Sequence, residues 1–407
     1  ECRERVERAL ANVDPDAARG ARSDMQLFAA LGAARMYTQP PGPEVREAWT
    51  RALELAERLE DTDYQLRALW GIWSAQLNTG EFRAALATAE QFGKVAETSS
   101  DPLDRAVGDR LIGGALHIVG DLAGARARTE SMLRGVAAPQ RSHLSRFVVD
   151  QRLMARNTLA GVLWLQGLRD QAAALSVANL EEARATDHAL TVCSILSDSI
   201  CPIALLNGDF AAAERYAKLL VELTAAHSLE LWSVWARCFN GALVARRLEG
   251  ADALGVLHGS LEDLLRAQLQ PRYMTLLADL AESLGRAGDA PVGLAAIEDA
   301  LARCEASEER WCFAELLRVK GELLQAQGGR GAMREAEQTL REARDWARKL
   351  GSLSWELRSA LSLARLRPDG ARARDAREGL GSVYGRFAEG FGTSDLVAAR
   401  GLLDQLN

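Results

Sequence analysis

Glycine recurs at Gly42, Gly80, Gly120, Gly167, Gly208, Gly250, Gly288, Gly328 and Gly370, in steps of 38, 40, 47, 41, 42, 38, 40 and 42 residues. Each follows a stretch of helical apolar period and precedes another, as in Leu163-Trp164-Leu165-Gln166-Gly167 and Ala204-Leu205-Leu206-Asn207-Gly208. A helix ends readily where glycine takes the left-handed conformation, because there is no Cβ to meet the neighbouring carbonyl. The segments after it begin alike, with Asp121-Leu122-Ala123 and Asp209-Phe210-Ala211 placing an acidic residue at the positive end of the next helix dipole. At 407 residues the chain is too long for one compact core. A stack of helix pairs escapes that limit, because each pair buries its apolar face on its neighbours.

Small residues mark where the paired helices cross. Five residues after the glycines stand Ala85, Ala125, Ala172, Ala213, Gly255 and Gly293; seven before them stand Gly113, Ala160, Cys201, Ala281 and Gly321, with Trp73 and Leu243 as exceptions. Small side chains on facing helices let the axes approach to about 8–10 Å. The pattern resembles the tetratricopeptide repeat, with a period near 41 residues where that repeat has about 34, so each helix should run about a turn longer. The expected fold is an all-α superhelix of about nine helix pairs. One helical-repeat domain should span 1–407, with 371–407 as an atypical C-terminal cap and an insertion around Ala137-Ala138-Pro139-Gln140-Arg141. No strand-like alternation of useful length occurs.

Motifs that carry catalysis are absent from the sequence: no phosphate loop, no nucleophile elbow and no zinc-protease helix. Gly328-Gly329-Arg330-Gly331 lacks the preceding strand and the Lys-Ser or Lys-Thr of a phosphate cradle, and is read as a turn. The histidines lie at least 26 residues apart and the six cysteines form no C-x-x-C pair, so no metal, cofactor or disulfide framework is expected. Buried reduced thiols suit the cytoplasm. A net charge of −7 argues against a nucleic-acid surface, and no membrane span or signal peptide is expected. The chain opens on Glu1 and is read as a piece of a longer protein.

What remains is a surface. In tetratricopeptide-like units the first helix of each pair lines the inner groove. The position ten residues before each glycine reads Gly32, Trp70, Arg110, Asn157, Asp198, Asn240, Ala278, Arg318 and Ala360. Trp70, Arg110, Asn157, Asp198 and Asn240, joined by Arg237 one turn away, form the expected recognition stripe. Arg110 can grip a carboxylate or phosphate with two parallel bonds, and the two asparagines each offer a donor and an acceptor. Ser74, Gly161 and Glu282, six before the glycines, and His117, Trp164 and Arg247, three before, fall at neighbouring inner positions. Trp73 replaces a small residue and is assigned to packing, whereas Trp70 and Trp232 are candidate anchors. A solvated groove without a ligand is the alternative.

Four segments carry a further resemblance. They are Arg146-Phe147-Val148-Val149-Asp150-Gln151-Arg152, Glu308-Glu309-Arg310-Trp311-Cys312, Ser354-Trp355-Glu356-Leu357-Arg358, and the tail Val383-Tyr384-Gly385-Arg386-Phe387 with Ser394-Asp395-Leu396. Together they resemble the C-terminal repeat arm of large bacterial signal-transduction ATPases with numerous domains. The resemblance implies a non-catalytic sensor or autoinhibitory arm that binds a small-molecule inducer, or a protein or peptide, in its concave groove. It also implies an ATPase module upstream in the same polypeptide, joined to a winged-helix or cyclase domain. It supplies no ligand residues. The alternative function is a scaffold or self-association module.

Overall fold

Five ladder glycines close helices as the spacing predicts. Gly80, Gly120, Gly167, Gly208 and Gly288 have φ between 75° and 92°. The residue after each turns its N–H back five places: Asp121 to the Leu116 carbonyl, Asp209 to Ala204 and Asp289 to Leu284, all at 2.9 Å. The same aspartates then open the following helix, with the Asp121 carboxylate accepting from Gly124 N at 2.8 Å and Asp209 from Ala212 N at 2.9 Å. One residue thus satisfies orphan groups of two helices, so the corner needs only two or three residues. Gly42 departs from the expectation: its φ of −160° is extended, and it precedes a helix without capping one. Gly250, Gly370 and the expected insertion lie outside the described residues. The structure, a computed structural model, describes residues 2–11, 20–38, 42–136, 146–247, 251–267, 273–366 and 371–405.

Among the described residues the helices form nine pairs. They are α2 (Ala21–Thr38) with α3 (Pro43–Arg58), α4 (Thr62–Thr79) with α5 (Phe82–Ala96), and α6 (Pro102–Val119) with α7 (Leu122–Gly135). Next come α8 (Gln151–Leu165) with α9 (Arg169–Ala185), α10 (Ala189–Asn207) with α11 (Phe210–His227), and α12 (Glu230–Arg247) with α13 (Ala251–Arg266). The last are α14 (Tyr273–Arg286) with α15 (Ala290–Ser307), α16 (Phe313–Gln327) with α17 (Arg330–Leu350), and α18 (Leu353–Leu366) with α19 (Ala371–Tyr384). A lone helix stands at each end, α1 (Cys2–Ala11) and α20 (Ser394–Gln405). Among the described residues there is no strand. The small residues act as expected: a Cβ on Gly113 would lie 2.8 Å from Thr129 Oγ1, and one on Gly293 2.8 Å from the Ala281 carbonyl. Between pairs the chain turns on Glu60, Asp187, Ser228 and Glu308, non-glycine residues at φ of 53–56°, and these corners leave no glycine signal.

α10 bears on the expectation of no membrane span. It is long and apolar enough to cross a membrane by length and composition, with a mean hydropathy of 1.8, yet 72% of that stretch is buried inside the protein. A helix apolar on all sides is what the centre of a large helical protein requires. Its Pro202 has no N–H for the Asp198 carbonyl, and the helix widens just before it into a π-turn over Leu196–Ile200.

Even-numbered helices pack on one another from pair to pair and form the inner layer. This superhelix is not an open arm. Arg310 N and Trp311 N, just before α16, donate to the Ile118 carbonyl near the end of α6 at 2.9 and 3.2 Å. Ser354 Oγ, at the start of α18, donates to the Trp164 carbonyl at the end of α8 at 2.6 Å. Ser394, at the start of α20, lies against Gly208 at the end of α10. Each inner helix therefore ends where the inner helix five pairs later begins: α6 on α16, α8 on α18, α10 on α20. One superhelical turn takes five pairs, and the second turn sits on the first. Donors of the second turn satisfy carbonyls that a helix C-terminus leaves unpaired, and the dipoles align head to tail.

Residues of the C-terminal cap thereby pack on α8, α9 and α10 as well as on α18. Arg169, fully buried at the start of α9, pairs with Asp395 at 3.1 Å and donates to Thr393 Oγ1 at 2.9 Å. Gly390 N donates to Asp170, and Gln171 Nε2 to Glu389, both at 2.9 Å. Arg358 on α18 joins Asp395, Glu315 and the Leu206 carbonyl at 2.9, 2.9 and 2.8 Å.

Candidate binding cavity

The turn-on-turn stacking leaves a partly open cavity of about 290 Å³, walled mainly by α4, α6, α8, α10 and α12, with Glu309 and Trp311 of the second turn in its lining. Six of the nine tryptophans line it: Trp70, Trp73, Trp164, Trp232, Trp235 and Trp311. Two of these indoles have internal partners, Trp164 Nε1 on Asn207 Oδ1 and Trp311 Nε1 on Glu309 Oε1, both at 2.8 Å. The buried Nε1 atoms of Trp70 and Trp73 have none among the described residues. His117, at the end of α6, meets the Trp311 ring at 5.7 Å between centroids, so the two turns touch at the cavity wall.

Four of the six expected stripe residues, Trp70, Arg110, Asn157 and Asp198, line this cavity. Trp70 is buried and tilted against Phe147 at 6.2 Å. Arg110 is half-buried with its guanidinium 4.6 Å from the Trp73 ring centre, and its buried Nε and Nη1 have no hydrogen-bond partner among the described residues. Burial pushes its pKa down to about 10, against the upward pull of Asp198. Asp198 is half-buried on the π-turn of α10.

Asn157 is placed differently from the expectation of a solvated groove residue. At 6% exposure it is buried between helices, where its carbonyl accepts from Asn179 Nδ2 and Ser199 Oγ, both at 2.9 Å. Its amide nitrogen meets only the Met154 sulfur, at 3.8 Å.

Arg237 and Asn240 do not reach the cavity. Arg237 is exposed and paired with Asp263 of α13 at 3.1 Å, and Asn240 is half-buried outside the lining. At about 100° per residue they lie roughly 200° and 140° from Trp235, whereas Trp232 lies about 60° from it. α12 therefore presents its tryptophans inward and its polar pair away from them. Arg318, at the same repeat position on α16, is also elsewhere, buried among Glu315, Glu322 and Glu282 at 2.8, 2.6 and 3.2 Å. Of the neighbouring inner positions, Ser74, His117, Gly161 and Trp164 line the cavity, Glu282 does not and instead pairs with Arg318 at 3.2 Å, and the Arg247 side chain lies outside the described residues. Reasoning within one repeat missed Glu309 and Trp311, which arrive from more than a hundred residues beyond Asp198. Among the described residues no group of His, Cys, Asp and Glu could hold a metal ion.

No protein-family model matches the sequence, and no curated protein matches it. Among solved structures it is similar to yeast Tom70 at 13% identity and a TM-score of 0.45, over 99% of this chain and 91% of that one. It is similar to a Rap protein complexed with competence and sporulation factor at 11% and 0.43, over 94% and 92%. A third likeness is to a signal transduction ATPase with numerous domains, carrying a tetratricopeptide repeat sensor, from Pyrococcus horikoshii: 12% and 0.42, over 99% of this chain and 65% of that one. Likenesses this distant carry nothing about what the chain binds. The helix pairs and corners themselves define an all-α, tetratricopeptide-like superhelix, and its second turn adds to the lining of a tryptophan-lined cavity in the first.

Proposed function

We propose that this chain is a non-catalytic ligand-binding arm, and that its ligand occupies the cavity between α4, α6, α8, α10 and α12. The observation that carries the reading is the gathering of six tryptophans and the Arg110 guanidinium about one concave space. Binding sites are concave, mostly apolar and furnished with a few polar groups. At about 290 Å³ the space is at the lower end of the ~300–1,000 Å³ of such sites, which suits a small molecule better than a folded partner. The wall is shared by two superhelical turns, so a ligand that differs in affinity for the closed and opened forms shifts the balance between them. That is how the arm serves as the sensor of a cytoplasmic regulator with an ATPase module upstream, as the resemblance of its sequence segments implies. The buried free thiols are in keeping with a reducing compartment.

Thermal-shift screening of the 407-residue chain against small metabolites tests this. A ligand raises stability by RT ln(1 + [L]/Kd), about 2.7 kcal/mol at a hundredfold excess over Kd, and a hit should be weakened by Trp73→Ala. Concentration-dependent self-association with no ligand response would favour a scaffold instead. Stoichiometric ATP turnover by the pure chain would contradict the non-catalytic reading.

A further inference from the structure

The polar groups on one wall of this cavity are unbalanced. Arg110 Nε and Nη1, Trp70 Nε1 and Trp73 Nε1 are all buried, all donors, and all without a hydrogen-bond partner among the described residues. Asn157 adds a fifth, because its carbonyl is filled by Asn179 and Ser199 while its Nδ2 faces only a sulfur, a weak acceptor. The five come from three consecutive inner helices, α4, α6 and α8, and from four side chains that line one space. Unpaired buried donors each carry a desolvation cost that a partner bearing acceptors removes. Arg110 Nε–H and Nη1–H leave different edges of the guanidinium, so each calls for its own acceptor oxygen, and a charged carboxylate oxygen is a stronger acceptor for either than a neutral amide. The acidic residues of the lining do not meet this need. Asp198 acts on Arg110 through space with no hydrogen bond to its Nε or Nη1, and Glu309 Oε1 already accepts from Trp311. Beyond the donors the walls are flat and aromatic, which suits a planar apolar body.

We propose that the cavity recognises a small organic anion: a carboxylate held by Arg110, with the Trp70, Trp73 and Asn157 donors beside it, on a planar apolar body stacked among the tryptophans. The proposal rests on the reading of the cavity as a ligand site and adds the chemical class. Arg110 is then a binding residue whose buried, unsatisfied Nε and Nη1 cost the free chain stability, not a structural one.

Calorimetry on the whole chain tests it with benzoate, indole-3-acetate and 1-naphthoate, each beside its primary amide and the corresponding amine. The expected result is that at least one carboxylate binds one per chain, at least tenfold tighter than its amide, while the amines do not bind. Arg110→Met should abolish the preference, and Arg110→Lys should keep part of it. As a readout that a structural role would move the other way, Arg110→Met should melt at or above the parent temperature. Amides or amines binding as tightly as the carboxylates would overturn the anion assignment and leave the cavity reading standing. A carboxylate preference that survives Arg110→Met would overturn it too. Failure of all nine compounds, with no thermal-shift hit, would remove the class and the site together.

Discussion

The contact between the two superhelical turns can be tested through the sign of a coupling. Arg169 is fully buried with Asp395 at 3.1 Å, and its Nε and Nη1 lie 3.3 and 2.9 Å from the Ser354 and Thr393 hydroxyls. Replacing Arg169 with Met removes the charge but strands nothing. Asp395 keeps Arg358 at 2.9 Å, Thr393 still donates to the Gly390 carbonyl at 2.7 Å, and Ser354 still donates to Trp164. The charge-assisted bonds lost are worth about 1.5–3 kcal/mol, partly offset because a guanidinium no longer has to leave water. A net loss of about 1–2 kcal/mol is expected. Asp395→Ala behaves differently. It leaves Arg169 buried beside Arg358, a like charge, with only neutral hydroxyls for partners, and breaking a buried pair in that way costs about 3–5 kcal/mol. Adding Arg169→Met to Asp395→Ala should therefore restore stability, so the double variant melts above the single Asp395→Ala. Urea and thermal unfolding of the four proteins complete the cycle. If the double variant is less stable than Asp395→Ala, or Asp395→Ala costs no more than Arg169→Met, the charge balance assigned to this contact is wrong.

Further outcomes follow from single sites. Gly208→Val meets both left-handed strain (φ 75°) and a Cβ contact of 2.6 Å with Ser394 Oγ, whereas Gly288→Ala meets strain alone, with open space around its Cβ. The first should cost clearly more than the roughly 1–2 kcal/mol expected of the second, and equal melting temperatures would contradict the turn-to-turn packing. Asn157→Ala should lower stability by about 1–3 kcal/mol through two lost hydrogen bonds; an unchanged urea midpoint would show that Asn157 is not the buried link. Burial raises the Asp395 carboxyl while Arg358 and Arg169 pull it down further, leaving it below the usual range. Its contribution is present above the unfolded-state value near pH ~3.9 and is lost as pH falls through the folded value. Asp395→Asn should flatten that acid limb, and an unaltered acid melting curve would refute the assignment. Burial pushes the Cys193 and Cys238 thiols up to about 12, so neither should react with a thiol reagent at pH 8 before unfolding, as mass spectrometry of the labelled chain would show.

The helix pairs were legible because their causes are local. A glycine at the end of an apolar period, an aspartate after it and small residues on both flanks act within about twelve residues, and the sequence lists those residues in order. Corners on Glu60, Asp187, Ser228 and Glu308 were illegible for the same reason in reverse, since no residue type there advertises positive φ. Half of the candidate site was also local: the repeat position of Trp70, Arg110, Asn157 and Asp198 fixes which helix face they occupy, and they share one lining. Arg237 and Asn240 failed because α12 is rotated relative to the glycine ladder, with Trp232 and Trp235 taking the inner face.

By itself the sequence determined an all-α stack of glycine-cornered pairs and the helix faces that carry its polar stripe. Only the tertiary structure decided that the stack winds through a full turn in five pairs and closes on itself. The curvature that brings Trp311 to His117 and Arg169 to Asp395 accumulates from small rotations at every interface between pairs. No single repeat encodes the sum. That stacking turned an expected open groove into a deeper, two-walled cavity, with Glu309 and Trp311 of the second turn facing the donors of Arg110, Trp70 and Trp73 of the first.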